Sequence, residues 1–255
     1  MSTATVTTVN PPASPAARIW NVHRLHLANP WTTLYWPWMI MALIFLGNWV
    51  IAWVLQRTLP AEAAEGAARS MSFNGGVAFI FIYMMVVAIQ AISISFPFAL
   101  GYGATRRDFY LGSALTLVLL GLGYSIAMAL LSLLEEATGG WGVGLRLLGS
   151  PMFGENALQR FVIYLVLFAF FSFFGMMIAS IWVRWKAMGV TAFFVVLGAV
   201  VIAAVALTTL AESWGAVGQF FVHWGVMGSI LWLLVPAAVS VVTGFLLLRR
   251  ATPRE

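Results

Sequence analysis

The chain has 255 residues, of which 62% are hydrophobic and only 8% charged, and its mean hydropathy is +0.96. A water-soluble domain has about one quarter charged residues, so this composition excludes a globule that is solvated by water on all sides. The net charge of +5 is spread over short basic segments, which excludes the continuous basic face of a nucleic-acid-binding protein. Because there is no cysteine, disulfides and thiolate metal sites are also excluded.

The N-terminal region divides into two parts. Residues 1–17 are rich in Ser, Thr, Ala and Pro and lack the basic and apolar segments of a signal peptide, so they predict a disordered tail. The following segment, Arg18–Trp36, mixes tryptophan and leucine with arginine and histidine. Such a composition predicts an amphipathic helix that lies on the inner leaflet and is broken at Asn29-Pro30.

Six apolar runs of about 20 residues follow, each long enough to cross a bilayer core roughly 30 Å thick. They cover approximately residues 35–55, 75–96, 111–134, 161–183, 190–210 and 228–248. The fourth and fifth runs are separated only by residues 184–189, where two cations favour a tight turn over one long helix. The sequence therefore predicts an all-α, polytopic membrane domain over residues 18–250 and a short cytoplasmic tail over residues 251–255.

Basic residues are distributed unevenly between the two predicted sides of the membrane. One side has nine of them: Arg18, Arg24, Arg106, Arg107, Arg184, Lys186, Arg249, Arg250 and Arg254. The other side has four: Arg57, Arg69, Arg146 and Arg160. Because the basic side of a membrane protein faces the cytoplasm, we expect both termini to lie inside.

The loop between the second and third runs, residues 97–110, combines turn-forming and charged residues. Pro97 is expected to end or bend the second helix, and Gly101 and Gly103 permit a tight return. Thr105, followed three residues later by Asp108, predicts the capped start of the third helix. On these residues alone, the simplest interpretation is a membrane turn with basic anchors.

The pattern Gly-x-Thr-Arg-Arg-Asp-Phe-Tyr-Leu-Gly over residues 103–112 resembles the inner loop of ABC-2 type transporter permeases, especially small actinobacterial members. In that family, the loop carries a coupling helix that docks into a partner ATPase. The resemblance also covers the layout of residues 18–250, including a basic segment before the first span and a short outer helix before the sixth. It implies that the residues coupling this chain to an ATPase are Gly103, Thr105, Arg106, Arg107 and Asp108.

The same resemblance implies a division of labour between chains. The only lysine, Lys186, is followed by Ala187, so the chain has no Gly-x-x-x-x-Gly-Lys-Ser/Thr motif for ATP. ATP and Mg²⁺ are therefore expected in a separate cytoplasmic ATPase, and no cofactor is expected in this chain. The implied protein is a transport subunit rather than an enzyme. It forms an export pathway with a second copy or a paralogue in the bacterial cytoplasmic membrane.

An alternative is a stand-alone membrane-embedded enzyme or assembly factor that has no ATPase partner. Gly123-Tyr124-Ser125 faintly resembles the serine motif of rhomboid proteases, and His223 is the candidate base. No further orienting residues support such a dyad, so we interpret Ser125 as a helix-packing residue. Glu135-Glu136 is expected to form an anionic pair at the outer interface.

Few polar side chains interrupt the apolar runs. Asn48, Gln90 and Ser93 are expected to face either neighbouring helices or the substrate pathway, and the sequence leaves both possibilities open. The lack of formal charge within the runs argues against an ion-coupled carrier. His23 and His26 lie three residues apart, but two ligands do not make a metal site, so we expect them at the membrane interface.

Overall fold

A computed structural model describes residues 14–73 and 75–250, and within these ranges every regular element is a helix. The α-helices are α1 Pro15–His26, α2 Trp36–Thr58, α3 Ala61–Met71, α4 Ala78–Gly101, α5 Arg106–Ala137, α6 Ala157–Leu210, α7 Trp214–Leu231 and α8 Leu234–Arg249. A π-helical turn, Trp31–Tyr35, precedes α2 directly. Most of the predicted N-terminal tail and the whole predicted C-terminal tail lie outside the described residues.

Five helical stretches in the described part of the chain are long and apolar enough to cross a membrane. They are Trp31–Thr58, Ala61–Gly101, Arg106–Ala137, Ala157–Leu210 and Trp214–Arg249. The prediction of an all-helical chain with membrane-spanning segments is confirmed at this level.

The longest helix, α6, folds back on itself at Lys186. This residue has φ 57° and ψ −150°, which breaks the helical path. The rings of Phe174 and Phe193 lie 6.1 Å apart on either side of the break. In a straight helix these two residues would be separated by about 28 Å, so the two halves of α6 run side by side.

A second reversal occurs within α7 at Gly225, which has φ 61° and ψ −173°. Glycine adopts this conformation without the steric penalty of a side chain. The rings of Phe220 and Trp232 are 6.0 Å apart across this point, although 12 residues separate them along the chain. The first part of α7 is therefore a short helix that lies against the start of the helical stretch leading into α8.

The N-terminal helix α1 packs along the first turns of α5. It begins earlier than the predicted boundary at Arg18, because the Ser14 hydroxyl accepts a hydrogen bond from the Ala17 amide at 3.2 Å and Pro15 occupies the first helical position. A serine cap followed by proline is a strong helix-start signal. The helix ends at His26, before Asn29-Pro30.

The close approach of α1 and α5 depends on Gly112. A Cβ atom at this position would lie 2.6 Å from the Val22 Cβ and 2.7 Å from the Ile19 carbonyl oxygen. Since both neighbours belong to the packed face of α1, a side chain at residue 112 would force the two helices apart.

We expect Gly112→Ala to lower the free energy of unfolding by about 2 kcal/mol, because overpacking a tight contact has costs of this order. Thermal melting of the purified chain in a mild detergent measures the effect. Gly123→Ala on the same helix is the matched control, because a Cβ there meets nothing within 4 Å. Equal stability of the two variants would show that α1 does not pack on α5 at Gly112.

Pro97 was expected to end or bend the second helix, and the first of these two possibilities is wrong. Helix α4 continues through Pro97 to Gly101. A proline removes only one N–H donor from the helix, and a long apolar helix tolerates that loss when its neighbours are packed against it. Phe96, next to Pro97, is fully buried against Phe109, and their ring centroids lie 5.4 Å apart.

Candidate functional site

The connection between α4 and α5 is short and open. Gly103 has a φ of +81°, and no atom would obstruct a side chain there, so glycine is required by the backbone conformation rather than by crowding. The Thr105 hydroxyl accepts a hydrogen bond from the Asp108 amide at 3.1 Å and caps α5, as the spacing of the two residues predicts. The loop therefore has a fixed entry into α5.

Asp108 lies apart from the open part of this loop. Its side chain is buried, and it accepts a hydrogen bond from Arg18 Nε at 2.6 Å. The ion pair joins α1 to the first turn of α5, where a carboxylate also complements the positive end of the helix dipole. Within this chain, Asp108 acts by holding α1 in place.

The two arginines of the predicted coupling motif have different environments. Arg106 Nη1 donates a hydrogen bond to the Arg249 carbonyl oxygen at 3.2 Å, which ties α5 to the end of α8. Arg107 is exposed, and the nearby Tyr102 is 92% exposed. We use the term inner-loop surface for Tyr102, Gly103 and Arg107. This surface presents one aromatic ring and one cation to the surroundings.

A cavity of about 420 Å³ lies between α1, the turn after it, α4 and α5. Most of its polar lining consists of amides, hydroxyls and one imidazole: His26, Asn29, Thr32, Thr33, Gln90, Ser95, Ser113 and Thr116. No Asp, Glu, Lys or Arg is among its lining residues. An arrangement of this kind can bind hydrogen-bonding groups that have no formal charge.

Hydrogen bonds from α5 determine the tautomers of the two histidines of α1. The Ser113 hydroxyl donates to the Phe109 carbonyl oxygen at 2.9 Å, so it accepts from His26 Nε2 at 2.8 Å. In the same way, the Thr116 hydroxyl donates to a carbonyl of the preceding turn and accepts from His23 Nδ1 at 3.0 Å. Each imidazole therefore retains a second nitrogen that can accept a hydrogen bond while the ring is neutral.

Burial, together with the neighbouring His23, lowers the pKa of His26 to about 4. The unfolded chain binds this proton below pH 6.5, whereas the folded chain excludes it until about pH 4. Stability is therefore fully present above pH 6.5 and decreases as the pH falls, by about 3 kcal/mol for the full shift.

We expect the melting temperature in detergent to fall between pH 6.5 and pH 4, and His26→Gln to reduce that slope, because glutamine takes up no proton on unfolding. The matched control is His223→Gln, which removes an exposed imidazole on α7 and should leave the slope unchanged. Identical pH profiles for the original chain and His26→Gln would contradict a half-buried His26 that stays neutral in the folded chain.

The three polar residues predicted for the spans do not meet at one place. Gln90 is exposed to the cavity that it lines, whereas the Ser93 hydroxyl donates to the Ile89 carbonyl oxygen on its own helix. Asn48 donates to the Ile44 carbonyl oxygen at 2.8 Å. It lies on the order of 20 Å along α2 from the cavity residue Thr33. Among these three residues, only Gln90 belongs to the cavity.

A buried charged cluster lies where α5 ends and α6 begins, at the end of α5 away from the connection to α4. This cluster was not predicted from the sequence. Glu135 is fully buried and accepts hydrogen bonds from the Leu147, Leu148 and Gly149 amides and from Trp141 Nε1. Glu136 pairs with Arg160 at 2.5 Å, and Arg160 is 2% exposed. The expected interfacial pair of glutamates is thus divided: one organises a loop, and the other neutralises an arginine.

Ser125 and His223, the two candidates for an enzymatic dyad, have separate environments. Ser125 is buried and donates to the Gly121 carbonyl oxygen at 2.7 Å. The His223 ring contacts Trp224, its neighbour on α7. No hydrogen bond or ring contact joins the two candidates in the described part of the chain.

No group of three or more His, Cys, Asp or Glu side chains that could hold a metal ion is found among residues 14–73 and 75–250. No protein-family model, curated protein or solved structure matches the chain. The function therefore has to be inferred from the residues and their geometry.

Proposed function

We propose that this chain is the membrane-spanning permease subunit of an ATP-binding cassette exporter, driven by a separate cytoplasmic ATPase. The observation that carries the proposal is the inner-loop surface. It stands between two long apolar helices, in a segment (residues 103–112) that resembles a permease coupling loop, and it exposes Arg107 and Tyr102 for contact. The Thr105 cap and the Arg18–Asp108 ion pair support this surface from within the chain.

Six membrane spans follow if each half of α6 crosses the bilayer once. Both halves exceed the roughly 20 residues that a span needs, and the reversal at Lys186 lets the second half run back alongside the first. Contacts between Arg18 and Asp108, and between Arg106 and the Arg249 carbonyl, bring the start of α1, the inner loop and the end of α8 to one end of the bundle. With most basic residues at this end, we assign it to the cytoplasmic side of the bacterial membrane.

The cavity lined by Gln90 is the proposed part of the substrate pathway in this subunit. Its amides, hydroxyls and neutral His26 suit an uncharged, hydrogen-bonding part of a substrate. A second permease copy or a paralogue would complete the pathway. ATP-driven closure of the ATPases would push on the inner-loop surface and rock one helical bundle against the other.

Purification of the tagged chain in a mild detergent tests the proposal. We expect a stoichiometric partner with a Walker motif, identified by mass spectrometry, and ATP hydrolysis by the eluted complex. Absence of an ATPase in several detergents that keep the chain monodisperse would contradict the proposal and favour a stand-alone membrane protein.

A further inference from the structure

An apolar crevice opens beside the turn at Lys186. It has a volume of about 620 Å³ and lies between the two halves of α6 and α8. Aliphatic and aromatic side chains form almost all of its lining, including Ile181, Trp185, Phe193, Val196 and Leu247. Beyond the crevice, the side chains of the second half of α6 are largely exposed within this chain. Its surface is therefore suited to a long apolar chain rather than to a compact polar molecule.

Four cationic residues lie close along the chain to the end of the crevice at the turn. Lys186 directly follows the lining residue Trp185, Arg249 lies two residues after the lining residue Leu247, and both are exposed. The Arg184 guanidinium lies over the Trp185 ring, 4.6 Å from its centroid. Arg250 follows Arg249 and is also exposed.

No carboxylate among the described residues pairs with these four cations. Asp108, the carboxylate at this end of the bundle, is buried against Arg18. The three ion pairs found in the described residues involve Arg18, Arg69 and Arg160, and none involves Arg184, Lys186, Arg249 or Arg250. The positive charge at the mouth of the crevice is therefore not neutralised by the neighbouring described residues.

We propose that this crevice binds an anionic phospholipid, with one acyl chain between α6 and α8 and the phosphate between Lys186 and Arg249. An apolar groove that ends at clustered cations between membrane helices matches both parts of such a lipid. Trp185 at the mouth marks the level of the headgroups, where tryptophan is enriched. The proposal requires insertion in a membrane but does not require an ATPase partner.

Binding is measured on the purified chain in detergent by native mass spectrometry, with titration of phosphatidylglycerol and phosphatidylcholine that have identical acyl chains. We expect phosphatidylglycerol to bind roughly tenfold more tightly, because each cation near the headgroup favours the anionic lipid. The double variant Lys186→Gln, Arg249→Gln should lose that preference. The matched control Arg57→Gln, Arg69→Gln removes two exposed charges from other helices and should keep the preference for phosphatidylglycerol. Arg57 stacks over Trp53 much as Arg184 stacks over Trp185.

A second pair of variants tests the crevice without changing the charge. Ala192→Phe fills the crevice from α6, and Thr243→Phe fills it from α8, so each should lose phosphatidylglycerol binding. Ala199→Phe, outside the lining, should not. Monodisperse elution in size-exclusion chromatography confirms that each variant is folded.

Three results would overturn the proposal. One is an equal loss of preference in the crevice double variant and in its control double variant, which would indicate attraction by the net charge alone. Another is unchanged lipid binding in both phenylalanine variants of the crevice, which would indicate adsorption to the surface. The third is full competition by soluble glycerol phosphate, which would indicate a phosphate site with no role for the acyl chain.

Discussion

Replacement of Glu135 with alanine is expected to destabilise the chain by about 4 kcal/mol, since several buried donors lose their acceptor together. The carboxylate accepts the Leu147 amide at 3.1 Å, the Leu148 amide at 3.2 Å and the Gly149 amide at 2.7 Å. Alanine cannot accept these bonds, and the crowded position of Gly149, where a Cβ would lie 2.9 Å from Glu135 Oε1, leaves little room for water.

Unfolding in detergent, followed by the loss of native tryptophan fluorescence, measures this effect. Glu135→Gln should have a smaller effect than Glu135→Ala, because it retains one carbonyl oxygen as an acceptor. Glu62→Ala is the matched control: Glu62 is exposed in the first turn of α3, so its removal should change stability by less than about 0.5 kcal/mol. If Glu135→Ala were as stable as Glu62→Ala, the loop after α5 would not be held by this carboxylate.

Charge reversal at Arg106 and Arg107 is expected to uncouple ATP hydrolysis from transport while the chain remains inserted. Arg106→Glu with Arg107→Glu should have the largest effect. An ATPase surface that complements the two arginines would then face glutamates of its own charge, and like charges at an interface cost several kcal/mol, equivalent to a loss of association of about 100-fold or more. Arg107→Glu alone is the cleaner test, since Arg106 also bonds to the Arg249 carbonyl within the chain.

The measurement is substrate-dependent ATP hydrolysis by the reconstituted complex, together with the yield of co-purified ATPase. Arg69→Glu makes the same change at an exposed position on α3 and should leave both values unchanged. If a correctly inserted Arg107→Glu chain kept normal values of both, the proposed role of the inner-loop surface would be removed.

The helical class of this protein was predictable because long apolar runs have few alternatives in a bilayer. The tight turn near Lys186 was also predictable, since Arg184 and Lys186 interrupt an otherwise uncharged stretch. Pro97 shows the limit of such local signals. Its ring disfavours a helix locally, yet α4 continues past it, and nothing in the sequence near Pro97 indicates the packing of Phe96 against Phe109.

The candidate site was predictable only in part. The Thr105 cap depends on residues close in sequence and could be inferred from their spacing. The Arg18–Asp108 pair joins residues 90 positions apart, so no local pattern could show that Asp108 is buried while Arg107 is exposed. Glu135 was misplaced for a related reason: its partners are mainly backbone amides, which every sequence contains and which therefore give no distinctive pattern.

Site-specific crosslinking from residue 107 tests the central claim most directly. The chain has no cysteine, so Arg107→Cys gives one unique attachment point for a photoreactive maleimide, and Arg69→Cys gives a matched point on α3. We predict that residue 107, and not residue 69, crosslinks in membranes to a protein with a Walker motif. Failure of residue 107 to capture an ATPase, or equal capture from both positions, would contradict the proposal that an ATPase docks on the inner-loop surface.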